Sequence, residues 1–482
     1  MPALARFVAE ALRGRDRPVI DQPGASLGAR EILERSERIR KGLCGSGIGP
    51  NEPIVVRVAN RSADIAAFLG VWLAGGVAVP VNAAVPAAVL DGVNAATGVR
   101  LHLDGATGTV STVASGPPPE RPLLEGAALI VFTSGSTGTP KGVVIGHDRL
   151  AAKLGVLHGL LRPSSETRLL LPLQITFIFG IWLALLTIGA GGRVTMMPKF
   201  TPVGVGEAFA AGVTTAGFVP TMLRALLADP RGIASAPGLR QILTGGEPLG
   251  EALAGRIADA LPQAGVFDLY GLTETGSCDF CLPPQDQRAG AGSIGLPTPG
   301  VTYRIMAEGN GEVLDGAVGE LQIRTPFGML GYLDRSDLTA ASFMDDWFRT
   351  GDLARRRTDG FVELVGRSKE IISRGGNKIA PLEIDRLFAA HPDVAAALTT
   401  GIPDPLLGER LHVMIVLRPG ARLDADALKI WAAGRIEKYK LPDMVHLASE
   451  LPPGPTGKAD RRALRQQIQG VGQSIKQSIS ST

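Results

Sequence analysis

Two stretches of the chain echo one another, and the echo limits the architecture more than any other feature. Phe68-Leu69-Gly70-Val71-Trp72-Leu73-Ala74 is repeated as Phe179-Gly180-Ile181-Trp182-Leu183-Ala184. Each follows an apolar, strand-like run (54–58 and 169–173) and leads through Gly-Gly into another (77–81 and 194–197). Strand, helix and strand in that order form the β-α-β unit, whose helix crosses one face of a sheet. Two copies predict two similar αβ layers in one fold.

The second copy contains an uncharged segment, 169–192, long enough to span a bilayer. Pro172, Gln174, Thr176, Gly180 and Gly189 interrupt it, and the match to the first copy favours a strand, a loop and a helix. No stable membrane insertion is therefore expected. The N-terminal stretch lacks a signal-peptide core and reads as an amphipathic helix.

A chain of 482 residues with 45% apolar content exceeds one ordinary domain and can bury a large core. The net charge of +3, from scattered Lys and Arg, argues against a nucleic-acid partner. Three cysteines give no disulfide framework and suit a reducing, cytoplasmic setting. Cys278 and Cys281 form a lone C-x-x-C with no second pair and no nearby His, so they are expected to fill space beside a pocket.

Residues 1–50 read as mainly helical, with 29–43 amphipathic, and 85–125 as a loosely organised Gly/Ala/Pro-rich connection. A helix is expected over 149–161, and strand–helix alternation continues to about 292. Short Gly-punctuated strands predict a β-rich subdomain over 293–365. Helix–strand alternation resumes after Gly366, and the tail beyond 466 is expected to fray.

Ligands of α/β sheets sit beyond the carboxyl ends of strands, and three such ends carry suitable groups. The first is Thr133-Ser134-Gly135-Ser136-Thr137-Gly138-Thr139-Pro140-Lys141-Gly142. Its glycines admit close backbone approach, its hydroxyls and amides donate, and Lys141 adds a cation, as a loop wrapping a polyphosphate requires. Pro140 and Gly142 flank that lysine, so the Walker pattern fails, and the dinucleotide spacing is absent. The second end is Thr244-Gly245-Gly246-Glu247. The third is Tyr270-Gly271-Leu272-Thr273-Glu274, where Glu274 can hold Mg²⁺ and Thr273 can bond an α-phosphate.

The loop over 133–142 and the Y-G-x-T-E string resemble the matching motifs of the ANL adenylate-forming superfamily, in its AMP-forming acyl- and aryl-CoA synthetase branch. Further motifs follow in that family's order: Thr350-Gly351-Asp352, Gly366-Arg367-Ser368-Lys369 and Pro455-Thr456-Gly457-Lys458. The resemblance implies an α/β fold. A large N-terminal domain (1–365) of two αβ-layered subdomains and a β-rich one would join, through a hinge (366–369) pivoting on Lys369, a small mobile α+β domain (370–465).

It also implies ATP, Mg²⁺ and CoA as cofactors, and roles for single residues. Asp352 would take the ribose hydroxyls and Arg367 the ribose and phosphate. Gly245, Gly246 and Glu247 would wall the adenine, with Tyr270 stacking. Thr273, Glu274 and Lys458 would be catalytic, Lys458 bridging carboxylate and α-phosphate. Gly375 and Gly376 would line a pantetheine tunnel.

The acid pocket would draw on Phe177, Phe179, Gly180, Thr244, Leu272 and Gly276, which are apolar or uncharged. The loop over 174–180 lacks the carboxylate that would hold an α-ammonium, and Pro172-Leu173 is not followed by the P-L-x-H histidine of many acyl-CoA ligases. The expected partner is thus a hydrophobic monocarboxylate, aryl or medium-chain. CoA is the expected acceptor, with a carrier protein's phosphopantetheine as the alternative, and a homodimer stays open. Non-catalytic nucleotide binding is the reading from another class, disfavoured because Thr273, Glu274, Asp352, Arg367 and Lys458 are all intact.

Overall fold

Both copies of the repeat become a buried helix beside a parallel sheet: Asp64–Leu73 in one layer and Ile178–Gly189 in the other. The computed structural model describes every residue except 119, 134–140, 234, 308, 310, 455–458 and 481–482, and only the backbone of 471–480. Among the described residues the chain forms four sheets. A 7-stranded sheet is built on the parallel strands Ala127–Thr133, Val77–Asn82, Pro53–Val58 and Leu101–Asp104. A 9-stranded sheet is built on Gly265–Tyr270, Gln241–Gly245, Thr215–Phe218, Arg168–Leu171 and Arg193–Met196, also parallel.

One hydrophobic cluster joins the two sheets through the helices Ala3–Leu12, Ala29–Gly45, Asp64–Leu73, His147–Leu161 and Ile178–Gly189. The two tryptophans of the repeat lie at its centre, at 1% and 0% exposure. Burying each apolar ring stabilises the layer by about 2–3 kcal/mol, provided the indole N–H finds an acceptor. Trp72 donates to the Ala128 carbonyl at 2.9 Å, inside the first sheet. Trp182 instead donates to the Ser277 hydroxyl at 3.3 Å, so the second copy is tied to a loop beyond the sheet.

The segment 169–192 is the strand Arg168–Leu171, a loop and the helix Ile178–Gly189. Among the described residues no helix is long and apolar enough to cross a membrane. Asn60, fully buried with φ 58°, locks the two sheets together. Its amide donates to the carbonyls of Met197 (2.8 Å) and Leu171 (3.2 Å), and its oxygen accepts from the Ile175 N–H at 3.2 Å.

The structure corrects one expectation, for 85–125, and adds detail to two others. Residues 1–50 include the paired strands Pro18–Gln22 and Ala25–Gly28, the former adding to Arg193–Met196, because a distant edge supplies the hydrogen bonds. The stretch over 85–125 is organised, with helix Ala87–Thr97 and strands Leu101–Asp104 and Val110–Thr112. That helix buries only Val93 and Thr97, so its apolar stripe is too thin to read from sequence. Beyond 466 the backbone stays helical, in Arg461–Ser480, and Leu464 and Ile468 pack against Leu398 and Met414.

A third, 5-stranded sheet contains Trp347–Arg356 and Val362–Arg367, and the one-turn segment Ser368–Glu370 leads to a fourth, which starts at Ile372–Arg374. The whole is an α/β protein with a large N-terminal part and a smaller C-terminal α+β part.

Candidate active site

Asp352 and Arg367 lie fifteen residues apart yet are direct partners across two antiparallel strands. Gly351, at φ 71°, lies at a bulge inside the strand Trp347–Arg356, not in the turn its sequence suggested, and Thr350 Oγ1 accepts from the Asp352 N–H at 3.0 Å. The carboxylate is 3% exposed and holds two donors. Arg367 Nε donates to Oδ1 at 2.8 Å, and the Tyr270 hydroxyl to Oδ2 at 2.6 Å. The Asp352 charge raises the Arg367 pKa, so the guanidinium keeps its proton. Burial, followed by that same charge, pushes the Tyr270 phenol well above its ordinary range. The Tyr270 ring meets Phe280 edge-on at 5.9 Å between centroids.

Immediately after Tyr270, the one-turn segment Thr273–Thr275 carries Thr273 and Glu274. Glu274 Oε1 accepts from the Tyr332 hydroxyl at 2.9 Å, and the Lys141 ammonium sits 5.3 Å from the centroid of the same Tyr332 ring. Thr133 and Lys141 are cross-strand partners at the base of the hairpin. Ser134, Gly135, Ser136, Thr137 and Gly138 lie outside the described residues, as does Lys458. The structure thus brings Thr133, Lys141, Thr273, Glu274, Tyr270, Gly271, Asp352 and Arg367 to neighbouring positions on two strand ends and one inter-strand pair.

The 271–279 loop is held from behind by groups that sequence reasoning missed. Gly276, Ser277 and Cys278 all have positive φ (87°, 66° and 52°), which is unfavourable for the two residues with side chains. Lys153, fully buried, donates to the Cys278 carbonyl at 2.8 Å, and Thr298 Oγ1 donates to it at 2.9 Å. Thr275 donates to Asp279, which lies buried beside that ammonium. A Cβ on Gly271 would fall 2.3 Å from the Cys278 nitrogen, and one on Gly276 2.5 Å from the Phe327 carbonyl oxygen, so close backbone packing dictates both glycines. Nothing in the local sequence marks Lys153, because its partner lies 125 residues away.

The C-x-x-C is structural, as expected. Cys278 and Cys281 are buried, and burial pushes the Cys278 thiol up to about 12. Cys44 is exposed. Titration of the native protein with a thiol reagent is therefore expected to modify one cysteine rapidly and all three only after denaturation. Fast modification of two would show the 276–281 segment to be open.

At the next strand, Gln241–Gly245, Thr244 is fully buried and its hydroxyl has no partner among the described residues. Gly245 packs so tightly that a Cβ would lie 2.3 Å from the Leu269 carbonyl oxygen, and Gly246 turns the chain at φ 83°. Glu247 turns back to the helix Pro220–Ala228, where Oε2 accepts from Thr221 Oγ1 at 2.7 Å and lies 3.5 Å from Arg224. Its Oε1 is buried with no partner among the described residues. Two unpaired polar atoms at one strand end suit a polar ligand better than an empty interior.

Of the expected acid-pocket residues, Phe177, Phe179 and Gly180 lie at the start of Ile178–Gly189. Phe177 caps that helix, and Phe179 stacks on Trp182 at 5.3 Å. Phe179, Leu272 and Met222 are half-buried against the same cluster. Gly180 lets the preceding loop fold back, since a Cβ would stand 2.5 Å from the Gln174 carbonyl oxygen. The one hydroxyl that Trp182 brings here belongs to Ser277, which the sequence reading did not single out.

In the C-terminal part, Gly375 (φ 55°) and Gly376 (φ 83°) are the two turn residues between Ile372–Arg374 and Asn377–Ile379. A two-residue hairpin turn with both φ positive favours glycine by itself. Lys369 sits in the one-turn segment Ser368–Glu370.

Comparison with known proteins decides the family. Residues 7–333 match the AMP-binding enzyme family, and 383–458 match the AMP-binding enzyme C-terminal domain. The chain belongs to the AMP-binding enzymes. They are the ANL adenylate-forming superfamily, and the similarity is to the acyl- and aryl-CoA synthetase branch.

This adenylate-forming chain is 30% identical over 487 residues to the fatty acid–(acyl-carrier-protein) ligase ScoC of Streptomyces coeruleorubidus, covering 94% of each. It is 31% identical over 470 residues to a feruloyl-CoA synthase of an Amycolatopsis species, covering 92% of this chain and 94% of the other. Its structure superposes on ATP-bound MatB from Rhodopseudomonas palustris with a TM-score of 0.87 at 25% identity, covering 98% of this chain and 100% of that one. Against the apo form of that protein the TM-score is 0.77.

Proposed function

We propose that the protein is an AMP-forming carboxylic acid–thiol ligase. A carboxylate oxygen attacks the α-phosphorus of ATP, the bond to the β-phosphate breaks, and pyrophosphate leaves with an acyl-adenylate formed. A thiol then attacks the acyl carbon, the bond to the phosphate oxygen breaks, AMP leaves, and the thiol proton goes to solvent. The observation that carries this reading is the Tyr270–Asp352–Arg367 contact one residue triplet from Glu274. It sets a ribose-sized pair of acceptors beside cations and a carboxylate, as an adenylate requires.

In this reading Asp352 accepts from the ribose hydroxyls with the lone pairs that Tyr270 and Arg367 leave free. Arg367 adds charge toward the phosphate, and Thr273 bonds its oxygens. Lys141 and the loop over 133–138 hold the β- and γ-phosphates. Gly245, Gly246 and the unpaired oxygen of Glu247 face the adenine, whose amino group can donate. Glu274 fits Mg²⁺, a hard cation that prefers carboxylate oxygen, because among the described residues only Tyr332 hydrogen-bonds its carboxylate. Bound there with ATP, the ion would neutralise charge on the phosphates.

Lys458 would neutralise the approach of carboxylate to phosphate. A rotation about Lys369 would then replace it with the Gly375-Gly376 turn beside a pantetheine arm. The pocket around Phe177, Phe179, Gly180, Trp182, Leu272 and Gly276 supports a hydrophobic monocarboxylate, aryl or medium-chain. CoA is the proposed acceptor. A carrier-protein phosphopantetheine is the second reading, favoured by the similarity to ScoC along 94% of both chains.

The test is acid-dependent ATP–pyrophosphate exchange across aryl, cinnamoyl-like and C6–C12 acids, followed by thioester formation with CoA or a holo-carrier protein. Exchange with one acid class and a thioester on CoA is the expected result. Thioester on the carrier alone would select the second reading, and ATP binding without exchange for any acid would count against ligase activity.

A further inference from the structure

Tyr332 is one of only four tyrosines in the chain, and none of the sequence motifs considered above includes it. It is 4% exposed and lies on the two-residue strand Gly331–Tyr332, which pairs antiparallel with the hairpin that carries Lys141. Two charged groups meet on this side chain. Its hydroxyl donates to Glu274 Oε1 at 2.9 Å, and its ring lies under the Lys141 ammonium at 5.3 Å. Its backbone N–H donates to Thr339 Oγ1 at 2.9 Å, and the next N–H, of Leu333, to the Gly142 carbonyl at 2.8 Å. The same segment grips Glu274 a second time, because the Met329 N–H donates to the Glu274 carbonyl at 2.8 Å.

We propose that Tyr332 is a positioning residue that fixes the rotamer of the metal-holding carboxylate of Glu274 and sets it in register with Lys141. This rests on the reading of Glu274 as the Mg²⁺ ligand. A carboxylate on a two-carbon stem rotates freely unless one oxygen is tied. With Oε1 committed to Tyr332, no described residue donates to the other oxygen, which is left for a cation. Ligand carboxylates held by a hydrogen-bond donor bind metal more tightly than free ones, commonly by 10- to 100-fold. The ring supplies a second link, since Lys141 approaches its face.

Tyr332→Phe removes the hydroxyl and keeps the ring, the packing and the contact with Lys141. Calorimetric titration of ATP, in excess Mg²⁺ and again in EDTA, separates positioning from structure. The unsubstituted protein is expected to bind ATP more tightly with Mg²⁺. The variant is expected to lose about tenfold of that gain while its affinity in EDTA and its ligand-free melting temperature stay unchanged. The Mg²⁺ concentration for half-maximal pyrophosphate exchange should rise in parallel. An unchanged Mg²⁺-dependent gain, or an equal loss with and without Mg²⁺, overturns the proposal. Absence of any Mg²⁺-dependent gain in the unsubstituted protein overturns it together with the reading of Glu274, and is distinguished by appearing before substitution.

Discussion

Lys458→Ala is expected to lower acid-dependent ATP–pyrophosphate exchange by about 10²- to 10³-fold, the usual loss when one preorganised group facing developing charge is removed. ATP binding should survive, because the proposed nucleotide contacts lie on Lys141, Thr273, Asp352 and Arg367. An anionic carboxylate must approach an anionic phosphate, and only a fixed cation between them removes that repulsion without solvent reorganisation. The described residues on either side of Lys458 are paired with one another. Pro453 and Ala459 form an antiparallel bridge, and the Asp460 N–H donates to the Pro452 carbonyl at 3.0 Å. Asp460 Oδ1 then accepts from the Arg462 and Ala463 N–H groups at 2.7 and 3.1 Å, starting the helix Arg461–Ser480. A variant that keeps full exchange would remove Lys458 from the first half-reaction.

Arg461→Met is expected to destabilise the C-terminal sheet by about 3 kcal/mol, the cost of leaving a buried carboxylate without its cation. Arg461 donates to Glu370 Oε2 at 2.8 Å, to Asp385 Oδ2 at 2.6 Å and to the Thr399 carbonyl at 2.8 Å. Its side chain is 18% exposed and that of Asp385 12%. Burial raises the Asp385 pKa and Arg461 opposes that rise, and among the described residues no hydrogen bond reaches its Oδ1. The triad also ties Glu370, next to the proposed pivot Lys369, to the residue three places beyond Lys458. Amide hydrogen exchange in the strands Val394–Asp404 and Gly408–Leu417 reads the local loss directly. Protection should fall by about 150-fold, the equivalent of 3 kcal/mol. A fall worth less than about 1 kcal/mol would rank the triad with surface ion pairs.

The sequence alone determined whatever depends on neighbours along the chain. The repeated Gly-x-Trp-Leu-Ala pattern forced two equivalent helices, since an apolar run between strand-like segments has only the space between sheets in which to bury itself. The motifs at 133 and 270 marked strand ends, because glycine and hydroxyl residues there meet local backbone demands, whereas Thr350-Gly351-Asp352 lies inside the strand Trp347–Arg356. The helix His147–Leu161, expected over 149–161, was legible for the same reason.

Only the tertiary structure decided what depends on distant partners. Pro18–Gln22 is a strand because Arg193–Met196 offers it an edge, and Ala87–Thr97 is a helix with hardly any buried face of its own. Lys153 is buried beneath the 276–279 loop because a carbonyl 125 residues away points at it. Tyr332 holds Glu274 across 58 residues, and Ser277 reaches Trp182 across 95. A buried polar side chain is tolerated only where a partner awaits it, and the fold supplies these partners from elements that local sequence patterns do not connect.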